Sequence, residues 1–394
     1  MLLALALAIP APTAFALGND TVFLSGNALI GYNSNPFLIA DGLTVPDQLG
    51  GPQKSDIYYG LGAGIRLDLP VGRQRFRANA NATEYWYQHF NSLDYTGYGA
   101  RASWDWVAGN KWSGLLTAGT SQTRQAFTDQ QGFAIPQLIT YYDASGSAQY
   151  ALTPRWSLIT AVGYNASKYN NDALRGNDFE VARFDLGASY RTPQGNSTGG
   201  RLRYEQGRWP NRTGIAAASF GQDYTQYTVS AVLDWHFSGQ SRLYGDVGYT
   251  FRARDQAAIG DFDGPSGRLN YDYYFSGKTT LQASIYEIRG PTENTFSTYV
   301  RTRGVTLGSI YQATGKTSLT AQAGFSQVTY LGQPLTATTQ QQQYDYWTVG
   351  LQALYRATRV VSLNAAVGYQ WRTSPLLFGD YEVLTASLGI GAEF

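Results

Sequence analysis

Apolar and polar residues alternate with period two along most of the chain. From 361 to 371 one parity reads Val361, Leu363, Ala365, Val367, Tyr369 and Trp371, and the other reads Ser362, Asn364, Ala366, Gly368 and Gln370. The stretch 57–69 divides the same way, with Ile57, Tyr59, Leu61, Ala63, Ile65, Leu67 and Leu69 opposing Tyr58, Gly60, Gly62, Gly64, Arg66 and Asp68. From 227 to 237, Tyr227, Val229, Ala231, Leu233, Trp235 and Phe237 oppose Thr228, Ser230, Asp234 and His236. Such alternation puts the two sets on opposite faces of a β-strand. A soluble sandwich alternates too, so the joints between segments must decide.

Tight turn signals recur at Pro70-Val71-Gly72, Ala108-Gly109-Asn110, Thr153-Pro154, Pro193-Gln194-Gly195-Asn196, Ser238-Gly239-Gln240, Ser276-Gly277-Lys278, Thr314-Gly315-Lys316 and Ala357-Thr358-Arg359. Between them lie longer irregular connections near 34–54, 89–92, 127–136, 170–176, 210–221, 255–261, 290–296, 331–342 and 373–379. Eight turns and nine loops join eighteen strands, with both chain ends on the tight-turn side. The strands run about 13–16 residues, beyond the roughly 9–11 that cross an apolar band. Short turns at one end and long loops at the other are the organisation of an outer-membrane barrel whose turns face the periplasm. The expected fold is therefore all-β, a transmembrane antiparallel β-barrel of about 18 strands.

Tryptophan favours membrane interfaces. In this topology Trp104, Trp106, Trp112, Trp156 and Trp235 lie beside tight turns, while Trp86, Trp209, Trp347 and Trp371 lie near the opposite strand ends, so all nine are expected in two girdles. The chain closes on Leu384, Ala386, Leu388, Ile390, Ala392 and Phe394 in one parity. This resembles the C-terminal strand signature of Gram-negative outer-membrane proteins. Residues 1–17 read MLLALALAIPAPTAFAL, with the small-x-small triplet Ala14, Phe15, Ala16. They read as a signal peptide over 1–16, without the usual basic start, ahead of a single barrel domain over 17–394. The other reading of this segment is a buried N-terminal strand or helix. After Leu17 nothing approaches the roughly 18 apolar residues of a transmembrane helix.

Composition narrows the picture further. Charged residues make up 14% of the chain and aromatic residues another 14%, including 30 Tyr and 9 Trp, so an ordinary soluble surface is not expected. A net charge of +1 leaves no electrostatic footprint for nucleic acid. The absence of cysteine removes disulfides, thiol nucleophiles and Cys-based metal sites.

A closed barrel of this size leaves a lumen that side chains alone do not fill, and the polar parity should line it. That parity carries Arg66, Arg75, Arg77, Arg101, Arg183, Arg191, Arg201, Arg203, Arg252 and Arg254. With them come Asp68, Asp105, Asp143, Asp185, Glu205, Asp234 and Asp246. Lys111, Lys278 and Lys316 sit at tight turns instead. Two readings of the arginines stay open. They form wall networks with neighbouring carboxylates, or they make a guanidinium ladder for carboxylates, phosphates or sugar hydroxyls. Tyr58, Asn79, Asn81, Tyr85, Tyr87 and Gln149 add surfaces suited to carbohydrate. The only histidines, His89 and His236, fall at opposite ends of the barrel, so no base–nucleophile pair is expected. No cluster has metal-ligand spacing, and the expectation is a non-enzyme without cofactor or metal.

Gly31, Tyr32, Asn33, Ser34, Asn35, Pro36 and Phe37, followed by the longest loop at 38–54, resemble the opening of the outer-membrane β-barrel porin family associated with exopolysaccharide biosynthesis and export operons. The first strand of that family tends to end in Tyr-Asp-x-Asn and an apolar residue, and Asn33 stands here in place of Asp. The resemblance implies a monomeric conduit in the Gram-negative outer membrane that helps an exopolysaccharide leave the cell, beside periplasmic export or biosynthesis partners. The alternative is a diffusion porin for small polar solutes, general or anion-preferring. Loop 38–54, with Pro46, Gly50, Gly51 and Pro52, is expected as an exposed lid rather than an inward constriction. The polar tract 338–343 is expected to be a hydrated outer loop.

Overall fold

The computed structural model describes residues 21–45, 51, 53–125, 137–214, 217–218, 221–254, 262–290, 299–331, 343–375 and 379–394. Both the signal-peptide segment and tract 338–342 lie outside these residues; Gln343 opens a strand. Eighteen strands follow in chain order: β1 (Val22–Asn33), β2 (Asp56–Val71), β3 (Gln74–Tyr87), β4 (Tyr95–Ala108), β5 (Trp112–Arg124), β6 (Leu138–Ala151), β7 (Trp156–Tyr169), β8 (Phe179–Arg191), β9 (Ser197–Arg208), β10 (Asp223–Ser238), β11 (Ser241–Arg254), β12 (Phe262–Ser276), β13 (Thr279–Gly290), β14 (Tyr299–Gln312), β15 (Thr317–Leu331), β16 (Gln343–Arg356), β17 (Val361–Thr373) and β18 (Tyr381–Glu393). Each pairs antiparallel with its sequence neighbours, and β1 pairs with β18, so the sheet has no edge. At that seam the Leu24 and Phe394 backbones exchange hydrogen bonds of 2.9 and 2.8 Å.

Eight connections of two to five residues occupy one end of the barrel and nine longer ones the other, as the turn signals require. Gly72 and Gly109 sit in two of the tight turns at φ +60° and +59°, a backbone that only glycine adopts cheaply.

One parity of each strand faces outward and is apolar: Leu61 is 60% exposed and Leu388 61%. Leu363 and Val367 are likewise exposed, with no second sheet over them among the described residues. Aromatic pairs mark both rims of this outer face. Towards the turns, Phe76 stacks on Trp104 at 5.5 Å, Trp112 meets Tyr150 at 4.7 Å and Trp156 meets Tyr190 at 5.1 Å. Towards the loops, Trp347 stacks on Trp371 at 5.8 Å beside Phe325 and Tyr369. Trp209 corrects the girdle assignment. It lies at the loop end but only 1% exposed, packed on Phe179 and Tyr224 with the Arg212 guanidinium 4.3 Å from its ring centroid. Burial there holds the Arg212 pKa down at about 10, so keeping it charged costs the fold something at neutral pH.

The first long loop also differs from expectation. Phe37 is 2% exposed and Val45 is equally buried, although the tip at Asp41–Thr44 stays open. The segment singled out in the sequence is what turns this loop inward. Gly31 leaves room for the Tyr58 ring, which a β-carbon at that position would strike. The Asn35 backbone N–H donates to Asn33 Oδ1 at 2.9 Å. The Asn35 amide then grips the loop, donating to the Ile39 carbonyl at 2.9 Å and the Glu382 carbonyl at 3.2 Å while accepting from the Ile39 N–H. Phe37 packs edge-on to Phe90 at 5.0 Å, within a cluster of Val45, Tyr87 and Leu93. Leu38 touches both that cluster and a second one built from β14–β18. Residues 37–45 are thus folded against the inner wall.

Candidate functional site

The inner face is the parity opposite the exposed apolar side chains, and cross-strand register decides which charges meet on it. On β2–β4, Asp68 accepts a two-pronged contact from Arg75 at 2.7 and 2.6 Å. Arg77 bonds Asp105 on the neighbouring strand. On β8–β11, Arg203 clasps Asp185 at 2.6 and 3.1 Å, and Arg242 clasps Asp234 through two 2.8 Å bonds.

Three further arginines reach across an intervening strand, a span of roughly 9–10 Å. Arg101 on β4 passes β5 at Gly119 to bond Asp143 on β6 at 2.8 and 3.0 Å. Any β-carbon at 119 would press on the Asp143 carboxylate. Arg201 on β9 passes β10 to reach Asp246 on β11 at 2.9 Å. Arg66 on β2 crosses β1, lying 4.1 Å over the Phe23 ring, to bond Glu393 on β18. Each tie stitches three strands together on the inner face.

Of the arginines singled out in the sequence, Arg66, Arg75, Arg77, Arg101, Arg201 and Arg203 are thus in ion pairs, with Asp105, Asp185 and Asp246 among their partners. Asp234 is paired with Arg242, which the sequence reading passed over although it shares parity with Tyr244 and Asp246. Arg183 lies opposite Glu205 with no ion pair among the described residues. Arg252 is not on an open lumen wall. It is 2% exposed at the loop end, its Nε donating to Gln226 Oε1 at 2.8 Å. Arg254 ends β11 opposite Tyr224, and its side chain lies outside the described set.

The pairs differ in wetness. Arg75, Arg77 and Arg101 have side chains about half exposed, leaving donors free for water or solute. β14–β17 present a different wall: Thr306, Gly308, Gln322, Gly324, Thr348, Gly350, Gln352, Asn364, Gly368 and Gln370 face inward at mid-height. No ion pair among the described residues involves these four strands. At the loop end the same strands carry the buried cluster of Val300, Val328, Tyr330, Tyr344 and Tyr346 that Leu38 contacts.

The two histidines sit at opposite ends. His89 follows β3, where its N–H and Nδ1 both engage the buried Asp56, which also receives the Phe90 N–H at 2.9 Å. The His236 N–H donates to Asn196 Oδ1 beside a tight turn. No group of three or more potential metal ligands occurs among the described residues.

Among solved structures, OccK9 (OpdG) of Pseudomonas aeruginosa superposes with a TM-score of 0.50 at 13% identity, covering 95% of this chain and 98% of that one. The fold is that of an outer-membrane porin. OccK2 (OpdF) of the same organism, solved in complex with glucuronate, gives 0.48 at 11% identity over 95% and 97% of the two chains. A BenF-like porin from Pseudomonas fluorescens Pf-5 gives 0.49 at 10% identity over 95% and 98%. At these identities the likeness is one of architecture. No family model matches the chain, and no curated protein matches it.

Proposed function

We propose that the protein is a passive diffusion channel for small polar solutes across a Gram-negative outer membrane. The observation that carries this reading is the inward first loop: residues 37–45 occupy part of the mouth and join the aromatic cluster of β14–β18 to that of β2–β3. A narrowed mouth suits small solutes better than a polymer, so the exopolysaccharide expectation lacks support from the wall geometry.

Below the mouth, the half-exposed guanidiniums of Arg75, Arg77 and Arg101 are held upright by carboxylates yet keep spare donors. A passing hydroxyl or carboxylate can exchange hydrogen bonds with water there without the wall having to reorganise. Because these charges are paired, the wall favours polar solutes generally and anions only mildly. Liposome swelling with sugars and sugar acids of increasing size tests the reading. Entry that falls off between disaccharides and larger oligomers supports it, whereas passage of a long acidic polysaccharide restores the exporter reading.

A further inference from the structure

We propose that the tight-turn rim is a cationic collar that binds the headgroups of anionic phospholipids in the inner leaflet of the outer membrane. Six of the eight tight turns carry one basic residue each: Arg73, Lys111, Arg155, Lys278, Lys316 and Arg359. No tight turn contains Asp or Glu. The two turns without a cation, 192–196 and 239–240, are neighbours on the rim, so the collar runs round the rest of the circumference. All six residues are exposed, and none enters an ion pair among the described residues. The loop end is unlike this: Arg175 pairs there with Asp172 at 2.8 Å and Arg208 with Glu180 at 2.9 Å. The carboxylates of Asp68, Asp105, Asp234 and Glu393, near the turns, lie on the inner face and are taken by arginines of the strands.

Contacts place three of the six side chains, along the rim or over its outer face. Arg73 Nη1 donates to the Gly109 carbonyl of the next turn at 2.5 Å, and Lys316 Nζ to the Ala357 carbonyl of the next at 3.4 Å. The Lys111 ammonium lies 5.7 Å from the centroid of Tyr150, where that ring meets Trp112 on the outer face. Carbonyls and rings orient a cation without cancelling its charge. The apolar band reaches almost to these charges. Val71 and Phe275 stand just before Arg73 and Lys278, and Trp112 and Trp156 directly follow Lys111 and Arg155, all four exposed. Interfacial aromatics settle at the depth of lipid headgroups, so the cations beside them meet phosphates. An acidic protein partner would call for charge concentrated on one flank, whereas one cation per turn suits a ring of separate monoanionic headgroups. A zwitterionic lipid carries its own ammonium and gains less. The inference rests on the barrel crossing an outer membrane, with its turns towards the periplasm, and not on which solutes it passes.

Spin-labelled lipids test it in phosphatidylcholine vesicles holding the wild-type protein. Labelled phosphatidylglycerol should be retained at the protein severalfold more strongly than labelled phosphatidylcholine, and high salt should erase the difference. Arg73→Gln, Lys111→Gln, Arg155→Gln, Lys278→Gln, Lys316→Gln and Arg359→Gln combined should abolish the preference. Arg175→Gln with Arg208→Gln, at the loop end, should leave it in place. Equal retention of both lipids by the wild type overturns the proposal, as does a preference that survives in the turn variant or disappears in the loop-end one. No preference, together with cosedimentation of the wild type but not of the turn variant with peptidoglycan sacculi, gives the collar to the cell wall and overturns it too. The wild-type comparison decides if the turn variant does not fold. Solute entry is not read, so a failure here leaves the diffusion reading standing.

Discussion

The barrel has two unlike walls. From β18 through β1 and round to β11 the inner face is laced by guanidinium–carboxylate pairs, three of which reach across an intervening strand. From β14 to β17 it is small and neutral at mid-height, and its loop end is covered by the inward first loop. The charged wall props up its own long side chains by pairing them. The neutral wall has nothing of that kind, and the narrowing on its side comes from a loop supplied by the other end of the seam. Charge and aperture are thus set by different parts of the molecule and should be separable by mutation.

The largest effect should come from removing the aperture. Deletion of residues 39–44 is expected to raise single-channel conductance severalfold in planar bilayers while leaving ion selectivity nearly unchanged; a large selectivity change would show that the two walls are not independent. Next, Asp68→Asn, Asp105→Asn and Asp143→Asn together strip the carboxylates from Arg75, Arg77 and Arg101. The reversal potential in a salt gradient should then move clearly towards anions, with conductance altered by less than the loop deletion alters it.

Within the charged wall, burial ranks the pairs. In the Arg203–Asp185 pair the Asp185 side chain is 11% exposed, whereas that of Asp105 is 43% exposed. Asp185→Ala should therefore lower unfolding stability in urea by about 1–3 kcal/mol, because it leaves a part-buried guanidinium unpaired. Asp105→Ala, at a wet pair, should cost less than about 1 kcal/mol. Equal losses would mean that water reaches both sites alike.

The strands, their order and the division of ends were legible because alternation and turn residues are local properties. The Gly72 and Gly109 turns, for example, need nothing beyond their own neighbours. The pairing of charges was not legible. Arg101 meets Asp143 only because register places Gly119 between them, and Arg66 meets Glu393 only once the two ends of the sheet have joined. Trp209 misled because interfacial preference was applied to a residue that the fold places among loop aromatics. Loop 38–54 misled because surface exposure is the usual fate of a loop, whereas the Asn35 amide and the Phe37 ring bind its first half to the wall.

The bond between Leu24 and Phe394 also says something about time. The seam unites the two strands most distant in sequence, so its formation carries the greatest loss of chain entropy and should come last during assembly. Until then β1 and β18 are both unsatisfied edges, and Arg66 has no Glu393 to hold. An intermediate stalled at that stage would expose a sticky ribbon at either flank, which makes the final zipping step the one most in need of escort.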